Sequence, residues 1–146
     1  MEIATSRFGT LKIDTDSVIR FPFGLLGLED CREWVLLADR QNDAVAWLQS
    51  IDYPETAFAV VSPQRFLPDY RIRVAKQELS PLELGDLGTA EVLAVVGKTE
   101  RSLTLNLKAP LVINVERRLG HQVIANGDPP LRYELETEQH AFRRIA

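Results

Sequence analysis

Trp34-Val35-Leu36-Leu37, Val45-Ala46-Trp47-Leu48-Gln49-Ser50-Ile51 and Thr56-Ala57-Phe58-Ala59-Val60-Val61 are three apolar runs separated by stretches that carry Asp39, Asn42, Asp43 and Pro54. They are short and rich in β-branched and aromatic side chains, which suit a pleated surface better than a helix. The Asp, Asn and Pro residues between them are turn formers, so the runs read as separate strands. Toward the N-terminus, Ile3, Thr5, Leu11 and Ile13 alternate with polar neighbours around Arg7-Phe8-Gly9, which predicts a hairpin. Residues 18–21 read as another short strand, closed by Pro22-Phe23-Gly24.

Toward the C-terminus, Tyr70-Arg71-Ile72-Arg73-Val74 alternates cleanly and predicts a strand with one face in water. Residues 77–84 predict one short helix, with Ser80 as its N-cap, Pro81 at the first helical position and Gly85 as its stop. Strands resume over residues 91–96, 103–107, 111–115 and 122–125, with Leu119-Gly120 at the turn between the last two. Many strands with little helix predict an all-β, mainly antiparallel fold: a small closed or nearly closed β-barrel with one short helix. Closure also removes the exposed edges that an open sheet of this composition would present. A single domain is expected over residues 1–133, followed by a charged tail over 134–146.

The chain of 146 residues is 45% hydrophobic and 26% charged, as an ordinary globular domain is. Its net charge of −4 opposes a nucleic-acid or anionic-membrane surface and favours a basic protein as the charged partner. Cys31 is the sole cysteine, which excludes an internal disulfide and reads as a buried apolar residue. Met1-Glu2-Ile3-Ala4-Thr5 has no basic region followed by an apolar core, and no apolar run approaches the ~18 residues that span a bilayer. A cytoplasmic protein without membrane contact is therefore expected.

No motif carries catalysis or a cofactor. His121 and His140 have no second histidine or cysteine at ligand spacing, so no metal site is expected. Gly-x-Ser-x-Gly is absent, and Gly24-Leu25-Leu26-Gly27-Leu28 lacks the ending of a phosphate loop. The carboxylate pairs Asp14/Asp16 and Glu29/Asp30 have nothing beside them that would desolvate them and raise a pKa. Two surface features remain. Glu78, Glu83, Asp86 and Glu91 lie in a stretch without Lys or Arg, a candidate acidic docking patch as well as an ordinary solvated face. Phe66-Leu67-Pro68-Asp69-Tyr70 places bulky apolar residues in a proline-bracketed loop, either a plug for the barrel end or a partner-facing patch. Gly24, Gly27 and the segment from Asn106 to Asn114 are assigned to structure.

The order of motifs resembles the flagellar assembly factor FliW family from Met1 to about Tyr133. The residues that carry this are Phe21-Pro22-Phe23-Gly24-Leu25-Leu26-Gly27-Leu28-Glu29, Trp47-Leu48-Gln49-Ser50, Phe66-Leu67-Pro68-Asp69-Tyr70, Asn106-Leu107-Lys108-Ala109-Pro110-Leu111-Val112-Ile113-Asn114 and Gly120-His121-Gln122-Val123-Ile124. Tyr53, where an acidic residue is common before Pro54, and Leu28, where phenylalanine is common, depart from the pattern. The resemblance implies a compact non-enzymatic barrel, monomeric and without cofactor, that binds flagellin and the translational regulator CsrA, a small basic dimer. Free flagellin occupies such a protein; once assembly consumes flagellin, the protein captures CsrA and relieves its repression of flagellin mRNA without itself contacting nucleic acid. On this reading Glu78, Glu83, Asp86 and Glu91 face CsrA, and Phe66, Leu67, Pro68, Asp69 and Tyr70 face flagellin. A small-ligand-binding β-barrel is the alternative.

Overall fold

The three apolar runs pair side by side as antiparallel strands in a computed structural model that describes residues 1–85 and 90–135. In chain order the strands are β1 (Glu2–Thr5), β2 (Gly9–Lys12), β3 (Ile19–Arg20), β4 (Glu33–Ala38), β5 (Val45–Ser50), β6 (Ala57–Val61), β7 (Ala90–Lys98), β8 (Leu103–Leu105), β9 (Leu111–Asn114), β10 (Leu119–Gln122) and β11 (Tyr133–Glu134). Register fixes Trp34 opposite Ser50 and Val45 opposite Val61, so β4, β5 and β6 form the middle of a sheet.

That sheet closes on itself. The long strand β7 pairs with β6 through Val60–Val95 and Val61–Ala94. Along its other edge it takes β9 at Ala90–Leu93 and β8 at Val96–Lys98. Strand β9 pairs with β10, and β10 meets β3 at Leu119–Arg20, which completes the ring through β4. The β3–β10 contact is the parallel one among otherwise antiparallel pairs. Strands β8 and β11 extend from β7 as a flap, and β1–β2 form a separate hairpin.

Inside the ring sit Ile19, Phe21, Leu25, Cys31, Trp34, Leu48, Val60, Leu93, Leu111 and Ile113. The opposite faces of β5, β6 and β7 are covered too. Val45, Trp47, Ala59, Val61 and Ala94 pack with Leu103, Leu105, Leu107 and Leu135, while Phe8, Phe66, Leu67 and Tyr70 close over them. Burial on both faces is why these strands read as nearly continuous apolar runs rather than alternating ones, since each second residue also leaves water. A third cluster, Leu82, Val112, Leu119 and Val123, joins β9 and β10 to the helical segment, with Ile72 and Val74 packed against it.

Four sequence expectations are corrected. Residues 70–74 make no strand; their alternation places Ile72 and Val74 on the third cluster in extended but unpaired backbone, and the Arg73 carbonyl accepts from Asn126 N–H at 2.6 Å. The expected helix is a 3-10 helix over Lys76–Leu82 that starts after Ala75, not at Ser80. Pro81 lies inside it and has no N–H to give an α-helical bond, so the bonds around it span three residues, as Glu83 N–H to the Ser80 carbonyl does. Glu83, at φ 51°, ends it in place of Gly85. Leu119 and Gly120 lie within β10; the turn before them is residues 115–118, where Arg118 takes φ 53°. At the C-terminal end, Glu134 pairs with Thr104 and Leu135 is buried, so these two residues lie in the fold and not in the tail. The rest of the expected tail lies outside the described residues.

Candidate protein-binding surfaces

Phe21 through Asp30 form a tight loop between β3 and β4, with its roots inside the barrel and its tip outside. Phe21 and Leu25 are buried, whereas Phe23 is 62% and Leu26 60% exposed. Gly24, at φ 67°, makes this possible: a Cβ there would overlap the Leu28 carbonyl oxygen and the Glu29 backbone. Backbone bonds close the loop twice, Leu25 N–H to the Leu28 carbonyl at 3.2 Å and the reverse at 2.8 Å. Glu29 accepts from Gly27 N–H at 2.6 Å, and the Gln122 side chain on β10 accepts from Leu26 N–H at 2.8 Å. Phe23 lies edge-on to His121, ring centroids 5.8 Å apart, and Ile124, 43% exposed, extends the apolar surface.

Beside this loop runs the turn between β5 and β6. It is held by Gln49, whose buried amide donates to the carbonyls of Ser50 (3.0 Å), Pro54 and Thr56 (both 3.2 Å). The turn exposes Asp52, Tyr53 and Glu55, and the Tyr53 hydroxyl donates to Asp30 at 3.0 Å, which raises the pKa of Tyr53. Burial, and after it the charges of Asp30, Asp52 and Glu55, push the Cys31 thiol pKa up. This thiol is 3% exposed and belongs to the core.

The sequence-predicted acidic residues do not form one unpaired patch. Glu83 pairs with Arg117 at 3.1 Å. Glu78 lies 3.6 Å from His121 Nε2 and accepts from Ile124 N–H at 3.4 Å. Glu91 points outward from β7, and Asp86 lies outside the described residues. In the aromatic loop, Phe66, Leu67 and Tyr70 are half-buried against the second core cluster, and the Tyr70 hydroxyl donates to the Leu107 carbonyl at 3.3 Å. Burial raises the Tyr70 pKa. Pro68 and Asp69 are its exposed members.

Among the described residues no three His, Cys, Asp or Glu side chains converge as metal ligands, and no helix is long and apolar enough to cross a membrane. Sequence reasoning assigned Gly24 and Gly27 to structure, gave Phe23 and Leu26 no role, and so missed their exposure. The available signal was an apolar pair at spacing three that the buried Phe21 and Leu25 do not need.

Fold and surfaces together define a small, mainly antiparallel β-barrel with a side-chain-filled interior and an exposed apolar loop beside carboxylates. The family model described as FliW protein matches residues 2–136, and the chain belongs to this family. A flagellar assembly factor FliW of Natranaerobius thermophilus is 35% identical over 150 residues, covering all of this chain and 99% of the relative. One of Bdellovibrio bacteriovorus is 38% identical over 85% of this chain and 72% of the relative. A crystal structure of the flagellar assembly factor FliW superposes with a TM-score of 0.85 at 28% identity, over 95% of this chain and 99% of that one.

Proposed function

We propose that this chain acts in the cytoplasm as a monomeric, non-enzymatic flagellar assembly factor that binds flagellin and CsrA in alternation. Bound to flagellin it is sequestered; freed from it, it captures CsrA and relieves repression of flagellin mRNA. The observation that carries this reading is the family match over residues 2–136, joined to a flagellar assembly factor FliW aligned over 99% of its length. The interior supports it as well: Trp34, Phe21, Leu48, Leu111 and Ile113 fill the barrel where a small-ligand protein would keep a chamber.

Thermodynamic linkage sets the size of the effect. A hundredfold weakening of RNA on CsrA requires the chain to bind RNA-free CsrA about 2.7 kcal/mol more tightly than RNA-bound CsrA. RNA then weakens the chain's binding by the same factor. The test is calorimetry of the purified chain with flagellin and with CsrA from the same organism, followed by competition between the two. Binding of both, each excluding the other, is the expected result. Binding of neither overturns the reading.

A further inference from the structure

We propose that the loop of residues 22–30, with Phe23 and Leu26 at its tip and Glu29, Asp30, Asp52 and Glu55 beside it, is a docking surface for a basic protein. The apolar pair enters a socket whose rim carries arginine or lysine. The assignment rests on the proposed function, in which the basic partner is CsrA.

Three observations lead there. Phe23 and Leu26 are more than half exposed, yet the loop that displays them is fixed by two backbone bonds, a side-chain cap from Glu29 and a tie to Gln122 on the neighbouring strand β10. A rigid loop that holds apolar groups in water gains nothing in the free protein, but it lowers the ordering cost when those groups are covered. The second observation is charge. Three carboxylates elsewhere have cations, Asp43 with Arg65, Glu83 with Arg117 and Asp128 with Lys108, and what distinguishes this loop is four unbridged carboxylates gathered beside exposed apolar side chains. Among the described residues no salt bridge reaches Glu29, Asp30, Asp52 or Glu55. Arg32 follows in the chain and bridges none of them. The third is position. Glu29 and Asp30 end the same loop, and the hydrogen bond from Tyr53 to Asp30 joins the turn bearing Asp52 and Glu55 to it. Apolar anchors flanked by uncompensated negative charge are complementary to a cationic rim around an apolar pocket.

The experiment uses the full chain and CsrA in calorimetry and stopped-flow mixing. The double variant Phe23→Ser/Leu26→Ser should weaken CsrA binding about thirtyfold or more, with melting temperature and circular dichroism unchanged because both side chains are exposed. Asp52→Lys/Glu55→Lys should slow association roughly tenfold at low salt, and the equal charge change in Glu100→Lys/Glu116→Lys should slow it much less. Wild-type affinity in both loop and charge variants overturns the assignment while the proposed function stands. So does loss of flagellin binding with CsrA binding kept, or a concentration-dependent dimer of the wild-type chain that the Phe23→Ser/Leu26→Ser variant abolishes. A wild-type chain that binds neither protein removes the proposed function and this assignment with it.

Discussion

Gln49 is fully buried, and its amide nitrogen serves three carbonyls of the turn that follows β5. Gln49→Ala removes these bonds and leaves a cavity, which should lower stability by about 2–4 kcal/mol in urea unfolding. It should also speed amide exchange at Tyr53 and Thr56 roughly tenfold, because that turn carries both. Exchange unchanged at those amides would show that the turn stands without Gln49. Asp39 does comparable work at the other end of the β4–β5 pair. It accepts from Trp47 Nε1 at 3.0 Å and from the N–H groups of Gln41 and Asn42 at 3.1 and 3.0 Å, while Arg7 stacks on the Trp47 ring at 4.0 Å. The indole bond first, then the backbone bonds and Arg7, hold its pKa below the usual carboxylate range. A lowered pKa in the folded state means that the unfolded chain takes up the proton first. The contribution is therefore whole above the unfolded value and is lost as pH falls through the folded one. Asp39→Asn should reduce the acid sensitivity of unfolding below about pH 4 and cost roughly 1 kcal/mol at neutral pH. A pH profile parallel to wild type between pH 3 and pH 6 would count against this role.

The closing seam of the barrel depends on one short strand. Gly120 in β10 lies against Phe21, and a Cβ there would run into the ring of that fully buried side chain. Gly120→Ala should therefore destabilise by about 1–3 kcal/mol with an unchanged urea slope, and a smaller loss would show that Phe21 can move aside. The aromatic loop divides in the same way between core and surface. Tyr70→Ala should cost about 2–4 kcal/mol, since it empties part of the second cluster, whereas Asp69→Ala should stay within about 0.5 kcal/mol of wild type. Flagellin binding measured with Asp69→Ala then reports contact without unfolding; equal loss of stability in both variants would contradict the division. These two elements also show what could be read in advance. The runs through Trp34, Trp47 and Phe58 declared themselves as strands because composition and turn residues act locally. The β3–β10 pairing did not, since it joins Arg20 to Leu119 across most of the chain. At residues 70–74 the alternation was real, but it reports which side chains are buried and not whether the backbone finds a ladder.

Charge is a property of the molecule rather than of any loop, and in the proposed function it bears on how the chain and RNA would exclude each other from CsrA. The chain carries a net charge of −4, and RNA is a polyanion, so on that proposal the two would repel across CsrA even where their contacts do not overlap. Within the acidic stretch read from the sequence, Glu83 is paired with Arg117, whereas Glu91 is exposed and unbridged. Glu29, Asp30, Asp52 and Glu55 have no salt-bridge partner among the described residues and lie together beside the exposed loop. If repulsion carries the coupling, it must weaken as salt shortens the screening length, which is about 10 Å at 0.1 M. A shape change in CsrA, by contrast, would couple the two ligands nearly independently of salt. The affinity of the chain for CsrA, measured with and without target RNA at about 0.05 M and about 0.3 M salt, separates these routes. The expected outcome is a coupling that falls several-fold over that range and that is already reduced at low salt in Asp52→Lys/Glu55→Lys. A coupling that is constant in salt and unaltered by those substitutions would assign the exclusion to conformational change in CsrA, with the acidic surface left to set the association rate alone.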